Sequence, residues 1–325
     1  MRNSLPAVSV VIEWENAKLA ELDRARRMLA ALAAQLRELR PEMEAPPELI
    51  VLYDREAIPA DLIARCVGEA FGDPPEVAVR VLPTEHAGYY AQKNRGAQVA
   101  SGELVLFLDS DVVPEPGWLA ALLGNFRDPE VAVACGNTYV EPEGFYAKAF
   151  ALFWFFPLRD SAPPAAPVEA EHFFANNVCF RRELFLRYGF PDLPLMRGAC
   201  VELAKRLRAD GHRILIDGRA RVSHPPPNGA AHFVRRALCE GHDSIQQARL
   251  RGARRRGFGL ATAWRFVNSV RRAGARILAN RRAVGLGAGG AAAAFGLALG
   301  YYALCAVGEL VGTVSPETVR RRLAV

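Results

Sequence analysis

The sequence predicts an α/β fold with a mostly parallel sheet and helices on both faces, followed by a helical C-terminal region. Two observations predict it. In the first half of the chain, short apolar runs alternate with longer stretches whose apolar residues have helical spacing. After residue 230, an arginine-rich segment leads into a long uncharged stretch. The 325 residues are 51% hydrophobic and 23% charged, which excludes a disordered chain and a protein built only of membrane spans.

Five apolar runs have the length of buried strands. They are Val8–Ile12, Leu49–Tyr53, Val77–Leu82, Leu104–Leu108 and Val131–Cys135. Four stretches between or after them have helical spacing: Lys18–Leu39, Ile58–Phe71, Tyr89–Ala100 and Trp118–Phe126. Continuous apolar runs are typical of parallel strands, because both faces of a parallel sheet are covered. We therefore expect ligands to bind beyond the carboxyl ends of these strands.

Missing motifs disfavour two kinds of site. No Gly-x-Gly-x-x-Gly segment follows any of the runs, so a dinucleotide cofactor is not expected. The six cysteines are scattered without a Cys-x-x-Cys pair, so we expect neither a disulfide framework nor structural zinc.

Two aspartates directly follow the fourth apolar run. Asp109 and Asp111 flank Ser110, where the strand is expected to end. Two carboxylates at this spacing can share a divalent cation, whose remaining coordination positions take diphosphate oxygens. In the alternative interpretation they only accept backbone N–H groups of a turn.

The segment before these aspartates resembles the family-2 glycosyltransferases. In that family, N-x-G-x-x-x-A-R-N-x-G-x-x-x-A-x-G-E leads into F-L-D-x-D. Ten positions of this chain match the pattern: Gly88, Asn94, Gly96, Ala100, Gly102, Glu103, Phe107, Leu108, Asp109 and Asp111. Three positions depart from it, with His86, Gln92 and Lys93 in place of Asn, Ala and Arg.

The resemblance extends over residues 8–224. It includes an opening strand segment, a second strand that ends at Asp54, and an acceptor-side segment with Asn177, Arg181 and Arg182. It implies a GT-A-type fold, a nucleotide-diphosphate sugar donor, Mg²⁺ or Mn²⁺, and usually inversion at the anomeric carbon. Within a catalytic domain of residues 1–230, we assign 1–136 to the donor and 137–230 to the acceptor.

The resemblance also assigns candidate roles. Asp54 and Glu15 are expected to bind the donor, and Lys93 to meet its phosphates. His224, after a late strand, is expected to reach the metal held by Asp109 and Asp111. Three of these residues have a structural alternative: a turn aspartate for Asp54, an exposed helix lysine for Lys93, and a structural histidine for His224.

One departure concerns the general base. The family places an acidic pair before a helix of the form x-E-L-x-x-R-L, and the Asp of that pair deprotonates the acceptor. Here Ala199 and Cys200 occupy the two positions. The nearest replacements are Glu202 and then Asp192, although Glu202 can instead pair with Lys205 along the helix.

The C-terminal region predicts attachment to a membrane. Residues 231–282 contain thirteen Arg, no Lys and two acidic residues, and 283–308 contain no charged residue. About 20 apolar residues suffice to span a bilayer. We therefore expect a basic juxtamembrane helical segment at 231–282, a transmembrane segment at 283–314 and a polar tail at 315–325. The alternative for the apolar stretch is a buried helix rich in Gly and Ala.

The arginines and the apolar stretch together suggest a location. Arginines beside a span contact anionic membrane lipid, and their excess before it favours a cytoplasmic catalytic domain in a single-pass protein of the cell membrane. Gln246-Gln-Ala-Arg249-Leu250 differs from the Q-x-x-R-W of processive synthases, and we interpret it as part of an amphipathic helix. The aromatic run Phe145–Leu158 is either core packing or an interfacial helix.

The resulting hypothesis is a membrane-anchored, metal-dependent glycosyltransferase with a lipid-linked or polysaccharide acceptor. Two other classes remain open. The loss of the acidic pair suggests a degenerate scaffold that binds nucleotide sugars without turning them over. The arginine-rich segment could also bind nucleic acid, although we expect no nucleic-acid partner.

Overall fold

The computed structural model describes residues 4–14, 22–72, 77–85, 87–159, 162, 164, 166–252 and 258–316. The strands within them are β1 (Val8–Glu13), β2 (Glu48–Asp54), β3 (Ala78–Thr84), β4 (Leu104–Asp109), β5 (Val113–Pro114), β6 (Val133–Val140), β7 (Val168–Glu169), β8 (Asn177–Arg181) and β9 (Ile214–His224). The helices are α1 (Leu22–Leu39), α2 (Ala60–Phe71), α3 (Tyr89–Val99), α4 (Trp118–Gly124), α5 (Gly144–Phe153), α6 (Arg182–Tyr188), α7 (Ala199–Ala209), α8 (Gly229–Leu250), α9 (Phe258–Asn280) and α10 (Ala288–Val314).

The strands form one sheet in the order β3-β2-β1-β4-β8-β6-β9-β5, and β7 pairs with β9. β1 runs parallel to β2 and β4, and β2 runs parallel to β3. These four strands are the parallel part of the predicted α/β fold, which is confirmed. β4 pairs antiparallel with β8, and β9 pairs antiparallel with β5 and β7. The antiparallel part comes from later residues, for which the sequence pattern predicted few strands.

Successive residues of a strand point to opposite faces of the sheet. Helices cover both faces, so each face has its own apolar cluster. Leu104, Leu106 and Leu108 of β4 lie in one apolar cluster with residues of α1, α2 and α4. Val105 and Phe107 lie in a second cluster with residues of α3, α6 and α7. Each fully buried large aliphatic side chain contributes about 1.5–3 kcal/mol to folding. Packing in the two clusters therefore stabilises β4 in its position at the middle of the sheet.

A buried carboxylate holds the turn that leads into β4. Glu48 accepts hydrogen bonds from Ser9 Oγ at 2.7 Å and from the main-chain N and Oγ of Ser101, both at 3.0 Å. Arg80 Nη1 lies 3.2 Å from its other oxygen. Burial raises the pKa of Glu48, but the bonds from Ser101, Ser9 and Arg80 lower it more, so the net pKa lies below its usual value.

We expect Glu48→Gln to destabilise the protein by about 1–3 kcal/mol at neutral pH, since these hydrogen bonds are made to a charged group. A carboxylate whose folded-state pKa is lowered stabilises the fold above its unfolded pKa, and this stabilisation is lost as the pH falls through the folded pKa. Melting temperatures of both proteins between pH 7 and pH 3 should therefore converge at acid pH. Glu38→Gln, at an exposed position of α1, should match the wild type throughout. A gap between Glu48→Gln and the wild type that does not change with pH would contradict the assignment.

The chain divides into two compact units. The first unit comprises Met1–Thr138, Asp160–Asp192 and Ala199–His224, and the second comprises Tyr139–Arg159, Leu193–Gly198 and Pro225–Val325. The second unit therefore takes residues 139–159 from the segment that the sequence grouped with the acceptor half. The donor and acceptor roles of the predicted domains stay predictions.

The aromatic run on α5 belongs mainly to the core of the second unit. Phe150 packs against Trp154, Phe233 and Tyr301, with ring centroids 5.4–6.0 Å apart. Phe145 alone on α5 is a strongly exposed aromatic, at 45%. Of the two interpretations that the sequence allowed, core packing accounts for most of this helix.

Candidate active site

The carboxyl ends of β1 and β4 lie side by side. Their parallel register pairs Glu13 with Asp109, the last residue of each strand. Both side chains are buried. This is the edge at which sheets of this type bind their ligands.

Helix α3 brings two donors to Asp109. Tyr89, Lys93 and Gly96 are spaced i, i+4 and i+7, so they share one helix face. Gly96 permits a close approach to β1, because a Cβ there would lie 2.3 Å from Cγ1 of Val11. Tyr89 Oη donates to the two carboxylate oxygens of Asp109 at 2.8 and 2.9 Å, and Lys93 Nζ donates to Oδ1 at 2.7 Å.

Lys93 is fully buried, at 0% exposure. The exposed helix lysine that the sequence allowed is therefore wrong for this residue. Its ammonium group is engaged with Asp109, and a direct contact with donor phosphate stays a prediction.

Asp111 lies beside the end of β9. His224 Nε2 is 3.9 Å from Asp111 Oδ2, and the histidine side chain is 16% exposed. The structure thus brings together two residues that are 113 positions apart and that the sequence named as metal ligands.

Arg24 of α1 holds the same two chain segments. Its Nε donates to the main-chain oxygen of Asp111 at 2.5 Å, and its Nη2 donates to the main-chain oxygen and Oγ of Ser223 at 2.7 and 2.9 Å. Because Ser223 precedes His224, this one buried guanidinium fixes the backbone on both sides of the Asp111–His224 pair.

Hydrogen bonds of Asn177 also connect elements around the site. Trp118 Nε1 donates to Asn177 Oδ1 at 2.8 Å, and Asn177 Nδ2 donates to the main-chain oxygen of Ala220 at 3.1 Å. Asn177 is the first residue of the predicted acceptor-side segment. Here its amide links α4 to β9, the strand that carries His224.

The residues present fit a divalent cation only if the donor completes its coordination. Among the described residues, no group of three or more His, Cys, Asp or Glu side chains could hold a metal ion. Asp111 and His224 offer a carboxylate oxygen and an imidazole nitrogen, and both groups are used for first-row divalent metals. Mg²⁺ sites in phosphate-processing proteins also use one or two carboxylates together with substrate phosphates.

Asp54, another candidate for donor binding, is the last residue of β2. Its Oδ1 accepts a hydrogen bond from the main-chain N of Glu56 at 3.1 Å, and its main-chain oxygen accepts from Ile58 at 3.0 Å. These are the contacts of the turn that was the alternative interpretation of Asp54, and binding of the nucleotide base stays a prediction. Glu15 and His86 lie outside the described residues.

Neither residue at the position of the expected acidic pair is a base. Ala199 and Cys200 are both buried at the start of α7. Tyr90 Oη donates to Cys200 Sγ at 3.5 Å, and burial raises the pKa of the Cys200 thiol, so this group is a neutral thiol at pH 7.

The two replacements are placed differently. Glu202 Oε1 lies 2.5 Å from Lys205 Nζ, and this is the helix ion pair expected as the structural alternative for Glu202. Asp192 is exposed. A role as general base stays a prediction for each of them.

Sequence reasoning missed Tyr89 and Arg24. Tyr89 lies inside the matched segment, but at a position that the family pattern leaves open. Arg24 lies on the apolar side of α1, next to the buried residues Ala25 and Met28. An arginine on an otherwise apolar helix face was the available signal.

The chain is similar in sequence to proteins named as glycosyltransferases. The chain is 24% identical over 196 residues to a glucosyl-dolichyl phosphate glucuronosyltransferase of Haloferax volcanii, which covers 55% of this chain and 59% of the relative. It is 33% identical over 150 residues to a pre-mycofactocin glycosyltransferase of Mycobacterium tuberculosis, covering 45% of this chain and 32% of the relative. The chain therefore spans only part of the length of these relatives.

The fold also matches a solved structure. A mannosyltransferase of Pyrobaculum calidifontis, in complex with GDP-Man and Mn²⁺, superposes with a TM-score of 0.57 at 18% identity. The match covers 94% of this chain and 87% of the other, and it shows a shared GT-A-type fold. The sequence model of glycosyl transferase family 2 matches residues 19–189, more than half of the chain. The chain therefore belongs to glycosyl transferase family 2.

Proposed function

We propose that this protein transfers a sugar from a nucleotide-diphosphate donor to an acceptor hydroxyl, with Mg²⁺ or Mn²⁺ bound at Asp111 and His224. One observation carries the proposal: at the end of β4, Asp109 is held by Tyr89 and Lys93 while Asp111 lies beside His224. Membership of the family supports the same chemistry.

The structure gives the two aspartates different surroundings, and we assign them different roles. Asp109 accepts from Tyr89 Oη, which lies 2.8 and 2.9 Å from its two oxygens, and from Lys93 Nζ, so its carboxylate is oriented before any ligand arrives. We propose that it positions the donor, while Asp111 and His224 hold the cation. A bound Mg²⁺ or Mn²⁺ would neutralise the charge that develops on the departing diphosphate.

The reaction that we propose is a single displacement. The acceptor oxygen attacks the anomeric carbon as the bond to the diphosphate oxygen breaks, which inverts the configuration. The acceptor proton passes to a carboxylate within hydrogen-bond reach, for which Glu202 and Asp192 are the candidates.

The relatives support the kind of acceptor. The Haloferax volcanii relative is named for a dolichyl phosphate-linked sugar, which is a lipid-linked acceptor. We propose a lipid-linked acceptor for this chain too, with a cell-envelope polysaccharide as the second candidate. A membrane-borne acceptor also fits the apolar C-terminal helix.

A second function is favoured by one observation, the buried Ala199 and Cys200 in place of the acidic pair. A chain without a general base would bind nucleotide sugars and release no product. Both functions predict donor binding, so turnover separates them.

The test is release of nucleoside diphosphate from a panel of nucleotide sugars, with Mn²⁺, with Mg²⁺ and with excess chelator. We expect at least one donor to be turned over in the presence of metal, and chelation to abolish the reaction. Tight donor binding with no release for any donor, in the presence of lipid acceptors, would support the scaffold instead. Turnover that is indifferent to the chelator would contradict the proposed metal site.

A further inference from the structure

The C-terminal helix α10 exposes an unbroken apolar stripe. Among the described helices it is the one that is long and apolar enough to cross a membrane, by length and composition alone. The large exposed residues of α10 are Phe295, Leu299, Val307, Leu310, Val311 and Val314. The exposed positions between them are Gly and Ala, so no polar side chain interrupts the stripe from residue 288 to residue 314.

The opposite face of α10 is packed directly on α8. A Cβ on Gly241 would lie 1.9 Å from the main-chain oxygen of Cys305, and one on Gly308 would lie 2.2 Å from that of Leu238. The two helices therefore touch backbone to backbone. Arg249 of α8 also donates to the main-chain oxygens of Gly312 and Thr313, at 3.2 and 2.8 Å, which fixes the end of α10.

Helix α9 also packs against α10. Arg265 and Glu309 form a bidentate ion pair at 2.7–3.0 Å. Further along, a Cβ on Gly274 would lie 3.1 Å from the ring of Phe295. The two helices are therefore antiparallel neighbours, and a bilayer that takes in α10 in this arrangement also meets α9.

This packing disfavours a transmembrane orientation. Arg265, Arg271, Arg272 and Arg276 all lie on α9, and each arginine costs about 2.5–3.5 kcal/mol at the centre of a bilayer. Tyr301 of α10 donates to Glu240 of α8 at 2.7 Å, and the part of α10 before it, residues 288–300, is about 20 Å long at 1.5 Å per residue. The hydrocarbon core is about 30 Å thick, so this part is too short to span it.

Helix α9 also exposes apolar side chains. Leu260, Trp264, Val267 and Leu278 are 62–83% exposed. Their spacing of four, three and eleven residues places them on one face, opposite the buried Thr262, Ala273 and Ile277. Tryptophan on such a face is typical of a helix at the membrane interface.

The charges beside these residues complement an anionic surface. Arg271, Arg272 and Arg282 are exposed. Glu309 is the single acidic residue between positions 251 and 316, and it is buried against Arg265. A second copy of the chain would bring the same cations to the contact, whereas an anionic phospholipid surface would neutralise them.

We propose that the exposed apolar faces of α9 and α10 bind the surface of an anionic bilayer, with both helices lying in the plane of the interface. The hydrophobic residues enter the boundary between headgroups and acyl chains, and the arginines contact lipid phosphate. The chain attaches to one leaflet instead of crossing the membrane once.

Vesicle flotation of the full chain tests the binding. We expect binding to vesicles of phosphatidylcholine with 30% phosphatidylglycerol, and at least tenfold weaker binding to pure phosphatidylcholine. Trp264→Glu combined with Leu260→Glu should reduce binding at least tenfold with an unchanged melting temperature, because both side chains are exposed. Leu186→Glu, at a 43% exposed leucine of the first unit, is the matched control and should bind like the wild type. Equal binding by the Trp264→Glu, Leu260→Glu variant, or self-association that buries this face without lipid, would overturn the proposal.

Labelling at the two ends of α10 tests the orientation. The native cysteines are all buried, so Ala288→Cys and Val314→Cys each add one exposed thiol to the membrane-bound protein. A membrane-impermeant maleimide added to one side should label both variants equally well. If one variant is labelled only after detergent opens the vesicles, α10 crosses the bilayer and the in-plane attachment is wrong. Neither readout depends on sugar transfer, so the outcome is independent of the proposed function.

Discussion

Asp111→Asn is expected to abolish sugar transfer and to leave the fold intact. Asparagine keeps the size of the side chain but loses the charge that would hold the cation. Loss of one group that stabilises developing charge costs about 10²–10³ in rate, and loss of the metal with it should cost more. The bond from Arg24 goes to the main-chain oxygen of Asp111, so the substitution leaves that contact in place.

Initial rates of diphosphate release, with melting temperatures measured on the same samples, check this expectation. Asp61→Asn is the matched control, because Asp61 is 72% exposed on α2 and pairs only with its own helix neighbour Arg65 among the contacts seen. It should retain wild-type activity. Turnover by Asp111→Asn at the wild-type rate would reject the assignment of Asp111.

Lys93→Met is expected to destabilise the protein strongly and to weaken donor binding. It leaves the carboxylate of Asp109 buried without its cationic partner, and breaking a buried ion pair in this way costs about 3–5 kcal/mol. For a cooperative unit of about 150–250 residues, such as the first unit, that corresponds to a fall in melting temperature of roughly 6–20 °C. Tyr89 still donates to Asp109, so the carboxylate is held on one side only.

Two further variants make this result specific. Lys205→Met breaks an ion pair in which the lysine is 44% exposed, and it should change stability by no more than about 1 kcal/mol. Adding Asp109→Asn to Lys93→Met should recover part of the lost stability, because no buried charge is then unpaired. If Lys93→Met melts like Lys205→Met, the buried pair does not stabilise the fold as the geometry indicates.

The parallel half of the fold could be predicted because its signal is local. The β1, β2 and β4 strands are built mainly of apolar residues, and Asp109 ends one of them. Strands β8 and β9 gave weaker signals. Asn177 and Arg181 begin and end the short β8, and β9 contains Asp217, Arg219 and Arg221. Asp217 pairs with Arg219 two positions on, and Arg221 pairs with the distant Glu115.

The site residues that belong to a recognisable sequence motif could be predicted. Asp109, Asp111 and His224 were named from the sequence and lie together in the structure. The alternative of an exposed Lys93 was wrong, because its burial depends on its pairing with Asp109, sixteen positions away. Arg24 was missed altogether, since its partners are main-chain oxygens in two distant segments.

The C-terminal region shows a different limit of sequence patterns. Composition predicted a span from the absence of charge between residues 283 and 308. It could not show that Gly241 and Gly308 let α8 and α10 meet backbone to backbone, or that Glu309 pairs with Arg265. Those contacts are the basis of the in-plane attachment that we propose.

The most direct test of the proposed site is the affinity of the protein for a nucleoside diphosphate, measured by calorimetry with Mn²⁺ and with excess chelator. For the wild-type protein we predict binding that requires Mn²⁺. For the Asp111→Asn variant and for the His224→Gln variant we predict at least tenfold weaker binding, with no dependence on Mn²⁺. Equal affinity with and without Mn²⁺ in the wild type would contradict the claim that Asp111 and His224 bind the donor diphosphate through a cation.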